Sequence, residues 1–209
     1  MTGTTKSDND LAGLVLAGGR SQRMGQDKAK MVYAGQTQMK RTLDLVGGFC
    51  STGFVALRED QEVPTEANRC GVKVIRDQFG DIGPLGGLLS AMNFVQGKSL
   101  LTVAVDLPFL DFATLEYLVA NRNFRKPFTA FRNPRDGFPE PLCTIYEVHS
   151  EAILYKFWKE KGILSPRRIL IESDVHLLDL PQFHVLENVN TLKAYRKILE
   201  KMERYSYRC

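Results

Sequence analysis

Short apolar runs alternate along this chain with longer segments whose apolar residues recur every three or four positions. The first run, Ala12 to Ala17 (AGLVLA), is apolar throughout and ends in Gly-Gly, the pattern of a strand buried on both faces that opens into a loop. From Thr37 to Phe49, Met39, Leu43, Val46 and Phe49 form one stripe at helical spacing. The strand-like segment Phe54 to Leu57 follows, then Val72 to Ile75. A helix over Leu85 to Val95 is entered through the turn Gly83-Pro84-Leu85-Gly86-Gly87. Ser99 to Val105 (SLLTVAV) is the strongest buried-strand signal and runs into Asp106-Leu107-Pro108, where proline stops sheet pairing. A helix from about Thr114 to Asn121 completes the unit.

This alternation predicts a three-layer α/β sandwich with a mostly parallel sheet and its functional loops at the strands' C-terminal ends. The remainder is less periodic. It predicts strands at Phe128 to Phe131, Leu142 to Tyr146 and His176 to Leu178, and helices at Glu151 to Lys161 and Pro166 to Glu172. Thr191 is placed to cap a last helix whose Leu192, Tyr195, Ile198, Leu199 and Met202 share a face. Neither a linker nor an internal repeat divides the chain, so residues 11–209 read as one domain behind a polar, disordered head at 1–10.

Composition narrows the function. Among 209 residues, 28 Lys and Arg stand against 24 Asp and Glu, a mild excess that suits a small anionic substrate and argues against nucleic acid. Cys50, Cys70, Cys143 and Cys209 are scattered with no metal-site or redox-pair spacing. They read as free thiols in a reducing compartment. With no signal-peptide layout and no apolar run long enough to span a bilayer, the expectation is a cytoplasmic protein that does not engage membranes.

The candidate chemistry begins where the first strand ends. Leu16-Ala17-Gly18-Gly19-Arg20-Ser21-Gln22-Arg23-Met24-Gly25-Gln26-Asp27-Lys28 joins three glycines to Arg20, Arg23 and Lys28. Glycine lets a backbone N–H approach a phosphate oxygen, and the cations supply the charge that a triphosphate requires. The spacing is neither GxxxxGK[ST] nor GxGxxG. On residue types alone, Gly18 and Gly19 also suit a plain tight turn bearing solvated basic residues, and Asp106 also suits a helix N-cap.

The string resembles the signature LAGGxSxRMGxDK of nucleotidyltransferases that attach a nucleoside monophosphate to a phosphorylated acceptor, with every fixed position present. Val74-Ile75-Arg76-Asp77 followed by Gly83-Pro84-Leu85-Gly86-Gly87-Leu88-Leu89-Ser90-Ala91 is similar to the VxxD…GPLxGLLSAL stretch of the molybdenum cofactor guanylyltransferases. Val105-Asp106-Leu107-Pro108 matches their next motif. Glu140-Pro141-Leu142, Ser165-Pro166-Arg167-Arg168-Ile169-Leu170 and Asn188-Val189-Asn190-Thr191 resemble the PLxxxY, SLRRLL and NVNTPE segments, in order. Two positions depart: Ala56-Leu57-Arg58-Glu59-Asp60-Gln61 stands where the family often has SCRxxQ, and Leu192-Lys193 replaces Pro-Glu.

The resemblance implies a Rossmann-like fold of the nucleotide-diphospho-sugar transferase type, with GTP and molybdopterin as substrates and Mg²⁺ as cofactor. It implies that the Leu16, Ala17, Gly18 and Gly19 backbone meets the nucleotide, that Arg23 and Lys28 meet its phosphates, and that Asp77, Gly83 and Leu85 help hold the guanosine. Asp106 would be the metal ligand. Arg23, Lys28 and Asp106 form the implied catalytic set, while Asn188, Asn190 and Arg167 are candidates for the acceptor. A CTP- or UTP-dependent relative acting on molybdopterin or on a sugar or polyol phosphate, and a silent nucleotide-binding protein, are the competing readings. A molybdate-insertion protein or a target molybdoenzyme is an open partner class.

Overall fold

The structure, a computed structural model, describes residues 11–19, 28–33, 35–50, 52–68, 71–80, 82–182, 184–188 and 195–196. Nine strands are seen in chain order: β1 (Leu11–Leu16), β2 (Val32–Tyr33), β3 (Gln36–Thr37), β4 (Gly53–Leu57), β5 (Val72–Arg76), β6 (Ser99–Ala104), β7 (Phe128–Arg132), β8 (Pro139–Tyr146) and β9 (Val175–Leu178). The helices are α1 (Gln38–Gly47), α2 (Pro84–Val95), α3 (Phe112–Ala120), α4 (Ser150–Lys161) and α5 (Pro166–Ile171). Seven strands form one sheet in the order β5-β4-β1-β6-β8-β7-β9, and β2 pairs with β3 as a separate hairpin.

Every pairing in the large sheet is parallel except those made by β8, which runs antiparallel to both β6 and β7. The predicted mostly parallel three-layer fold is the one observed. The central strands are apolar at nearly every position because each face carries helices. Leu11 and Val15 of β1 join a core with α1 and α3, while Ala12 and Leu14 join a second core with α2, α4 and α5.

Three of the described helices, α1, α3 and α5, start where a side chain satisfies a first free N–H group. Thr37 accepts from Lys40 N at the head of α1, Asp111 from Thr114 N at α3, and Ser165 from Arg168 N at α5. Asp111, five residues past Asp106, is thus the N-cap, and the capping alternative for Asp106 falls away.

Two features differ from the sequence expectation. β8 begins at Pro139 rather than Leu142, and it includes two prolines. Proline cannot donate to a ladder, and Pro139 pairs beyond a register shift between Ala130 and Arg132, in a part of β8 that extends past its pairing with β6. The β2–β3 hairpin was too short to leave a periodic signal. The segment expected to form the last helix lies largely outside the described residues; of it only Tyr195 and Arg196 are seen, as helix. Among the described residues no helix is long and apolar enough to cross a membrane.

Candidate active site

Chain order along the sheet reverses beside β1: β4 and β5 lie on one side of it and β6 on the other. A crevice is expected at the C-terminal ends of strands around such a point. A cavity of about 630 Å³ opens there, lined by Leu16 to Gly19 after β1, Arg58 after β4, Asp77 after β5 and Val105 and Asp106 after β6. Its size suits a nucleotide-sized ligand.

The floor is backbone held in place by neighbours. Ala17 N donates to Ala56 O (3.1 Å) and Val105 N to Leu16 O (3.1 Å), so β1 is pinned on both sides just before the glycines. Arg58 Nη1 donates to Gly18 O (2.8 Å) and Gln61 Nε2 to Ala17 O (3.0 Å). Arg76 Nη1 in turn donates to the carbonyls of Arg58 (2.7 Å) and Gln61 (2.5 Å). With their carbonyls taken up on the β4 side, Ala17 and Gly18 are held in one peptide orientation. Gly19 has open space where a Cβ would stand, room for a ligand to come against the backbone.

Arg58 and Gln61 lie in the segment that departs from the family pattern, and sequence reasoning assigned them no role. Their signal was the Arg-x-x-Gln spacing just past a buried strand. Ala56 and Leu57 are buried at 3% and 1% exposure, so the polar contact absent from those two positions is not replaced there.

On the second wall, Asp77 Oδ1 accepts from Phe79 N (2.9 Å), and Gln78 N donates to Ser90 Oγ (2.9 Å), which ties the β5 loop to α2. The Asp77 carboxylate rests against the first turn of α2, where the helix dipole favours an anion. Gly86 makes this possible, since a Cβ there would lie 2.3 Å from Asp77 Oδ2. Gly83, the α2 N-cap, has φ +66° and ψ −149°, a conformation open essentially to glycine alone.

The charged centre joins residues 78 positions apart. Lys28 Nζ donates to Asp106 Oδ2 at 3.0 Å, with side chains 22% and 15% exposed. Asp106 Oδ1 is buried without a hydrogen-bond partner among the described residues. A buried carboxylate oxygen left unsatisfied in a polar cavity is costly unless a ligand completes it. Among the described residues no cluster of three or more His, Cys, Asp or Glu is placed to hold a metal. One carboxylate fits Mg²⁺, which keeps several waters and shares substrate phosphates, better than a metal that needs an all-protein cage.

The structure therefore brings together Leu16, Ala17, Gly18, Gly19, Lys28, Asp77, Gly83 and Asp106 around one cavity. Leu85 does not line the cavity: its side chain is fully buried in the core around α2, which leaves its backbone in the turn as the part that could meet a ligand. Arg167 lies on α5, ion-paired with Asp136, and its charge is felt at Glu140. Asn188 is exposed, and Arg23 and Asn190 lie outside the described residues. Of the cysteines, Cys50 and Cys143 are buried free thiols, and burial pushes the Cys50 thiol up to about 12.

Glu140, quoted only as part of a motif, is buried on the strand face it shares with the cavity-lining Leu142. Burial raises its carboxyl above the ordinary carboxylate value, against the lowering effect of hydrogen bonds from Leu142 N and Asn133 Nδ2, both at 3.3 Å.

Comparison with known proteins follows the same lines. The chain is 32% identical over 194 residues to a molybdenum cofactor biosynthesis bifunctional protein of Synechocystis, covering 92% of this chain and 54% of that protein, so the chain spans about half of its length. It is 26% identical over 212 residues to a probable molybdenum cofactor guanylyltransferase of Clostridium perfringens, covering 90% of this chain and 96% of that protein. The fold is similar to that of molybdopterin-guanine dinucleotide biosynthesis protein A from Archaeoglobus fulgidus, with TM-score 0.73, 20% identity and coverage of 92% and 99% of the two chains. The model of the MobA-like NTP transferase domain matches residues 13–176, and with that match across most of its length the chain belongs to this family of nucleotidyltransferases.

Proposed function

We propose that the chain transfers GMP from GTP to the terminal phosphate of molybdenum-molybdopterin, giving the guanine dinucleotide form of the cofactor and pyrophosphate. The observation that carries this reading is the Lys28–Asp106 pair set in the cavity wall, with one carboxylate oxygen unpartnered. The choice of guanine and of the molybdenum cofactor is supported by the relatives' names and by the ordered motifs from Leu16 to Asn188.

An oxygen of the acceptor's terminal phosphate attacks the α-phosphorus of GTP in line. A new P–O–P bond forms, the bond from the α-phosphorus to the bridging oxygen breaks, and pyrophosphate leaves with that electron pair. The protein contributes position and charge, and no side-chain nucleophile is needed. The glycine backbone after β1 holds the phosphates, with the Lys28 ammonium offsetting their charge, and Arg23 is proposed to share that task. Asp77 and the α2 turn meet the nucleoside. Asp106 would hold Mg²⁺, which when bound neutralises the charge that builds on the phosphate oxygens during transfer. Arg167, Asn188 and Asn190 are the proposed acceptor contacts.

Titration calorimetry with GTP, CTP, UTP and ATP, each with and without Mg²⁺, tests the assignment. A clear preference for GTP that strengthens with Mg²⁺, followed by pyrophosphate release once molybdopterin is supplied, is the expected result. Preference for CTP or UTP replaces it with a relative's specificity, and absence of binding overturns it.

A further inference from the structure

Lys28 and Asp106 come from segments far apart in the chain, yet their spacing sets how a phosphate and a cation would share the cavity. One buried residue touches both segments. Gln38, the first residue of α1, is 3% exposed. Its backbone N–H donates to Met31 O at 2.7 Å, and Met31 N donates to Lys28 O at 3.3 Å, which closes the turn that carries Lys28. Its side-chain Nε2 donates to Leu107 O at 3.2 Å, the carbonyl directly after Asp106.

Its neighbours hold this arrangement. Thr42 Oγ1 donates to Gln38 O (2.9 Å) and accepts from Gln38 Nε2 (3.3 Å). One turn further along α1, Arg41 Nη2 donates to Pro108 O at 3.0 Å. Two successive carbonyls of the Asp106 loop are thus gripped by the first turn of α1. Gln38 Oε1 is buried without a partner among the described residues. Turning the amide over would place that oxygen against Leu107 O, two acceptors face to face, so the observed orientation is the one that bonds. A buried polar atom left unsatisfied to keep this contact marks Gln38 as more than filler in a helix.

We infer that Gln38 is a positioning residue that fixes the distance between the Lys28 ammonium and the Asp106 carboxylate, one segment held through its backbone and the other through its side chain. Gln38 does not line the cavity. It acts by holding the loop of the carboxylate, and loss of such an outer contact lowers metal affinity by roughly 10–100-fold. For its metal readout the inference rests on the nucleotidyltransferase reading of the site; its second readout does not.

The test uses the full chain with Gln38→Met, which keeps the volume and removes the donor. Lys28 is acetylated with a small amine reagent and followed by mass spectrometry against Lys30, whose side chain is 67% exposed. Weakening the charge-assisted pair exposes the Lys28 amine, so its labelling rate rises about fivefold while that of Lys30 stays within about twofold. In parallel, the Mg²⁺ concentration that half-saturates GTP binding rises about tenfold, and metal-free GTP binding changes less than about twofold.

Lys40→Ala, which removes an exposed ion pair with Asp44 from α1 but spares the Leu107 contact, leaves Lys28 labelling as in the wild type. Should Gln38→Met not fold, Gln38→Asn, one methylene too short to reach Leu107, carries the same measurement. Unchanged Lys28 labelling in a folded Gln38 variant overturns the inference. A wild-type protein that ignores both GTP and Mg²⁺ overturns the functional reading instead, and the labelling result still decides the role of Gln38.

Discussion

Two ion pairs in this molecule use the same chemistry to different ends. Beside β1 and β6, Lys28 meets Asp106 through one carboxylate oxygen at 3.0 Å, and the other oxygen is buried with no partner among the described residues. Between the end of α3 and the end of β8, Arg122 meets Glu147 through both oxygens, Nε to Oε1 at 2.6 Å and Nη2 to Oε2 at 2.8 Å, and Ser99 Oγ adds a third bond at 2.6 Å. The second pair is also drier, its side chains 7% and 2% exposed. A completed pair holds a fold together, whereas an incomplete one in a cavity is built for something that arrives. The difference teaches where to look for function among buried charges: at the unfilled valence, not at the strongest bond.

Mutation should separate the two. The largest effect is expected at the incomplete pair. Asp106→Ala and Lys28→Ala each lower GTP turnover by about 10³-fold or more, the scale for removing a preorganised charge from a transition state. Their unfolding free energies in urea change by no more than about 1 kcal/mol, since the pair is solvent-accessible on one side. Wild-type turnover in either variant, at saturating Mg²⁺, would remove that residue from the mechanism.

The completed pair should behave the other way. Arg122→Met leaves the Glu147 carboxylate buried without its cation and costs about 3–5 kcal/mol in urea unfolding. Nucleotide affinity of the fraction that remains folded stays close to wild type. If Arg122→Met instead weakens GTP binding at unchanged stability, the pair is coupled to the site and the contrast fails.

A third prediction tests the α2 entrance between these extremes. Gly83→Ala forces a side chain into a conformation that costs of order 1–3 kcal/mol, so either stability falls by that amount or the turn relaxes and nucleotide affinity drops. Measuring both in the same preparation tells which. A variant unchanged in both would mean that the turn carries neither load.

The sequence made the first pair legible and the second invisible. Lys28 sits inside a contiguous signature and Asp106 ends the most apolar run of the chain, so local pattern sufficed for both. Arg122 and Glu147 belong to no motif, and their meeting depends on β8 lying antiparallel between β6 and β7. Hydrophobic periodicity is the same for either strand direction, so it could place a strand near Leu142 but not orient it. Proline obscured the start of that strand, since Pro139 and Pro141 argue against pairing unless a register shift takes them up. Leu85 shows another limit of motif reading, since its place in a motif does not tell that the helix turns its side chain into the core. Gln38, one residue before the apolar Met39, looked like an ordinary polar helix position, and only the loop packed over it explains its burial.

The smallest predicted effect concerns a third buried charge, Glu140, which stands between the two types. Among the described residues its carboxylate accepts two long hydrogen bonds, and it feels the charge of Arg167, which is itself ion-paired with Asp136. Burial raises its folded-state value above the ordinary 4.5. The sign follows from linkage: below 4.5 the group is protonated in both states and costs nothing. As the pH climbs from there through the raised folded value, the unfolded chain ionises first and the folded state loses stability relative to it. Glu140→Gln keeps the shape and has no charge to bury, so it should match or slightly trail the wild type near pH 4. By pH 7 it should exceed the wild type, with a change of roughly 0.5–1.5 kcal/mol between the two conditions. Urea unfolding of both proteins across this range measures the difference. A gap that does not widen with pH would mean that Glu140 is ionised and adequately partnered in the folded state, which would move it to the side of Glu147.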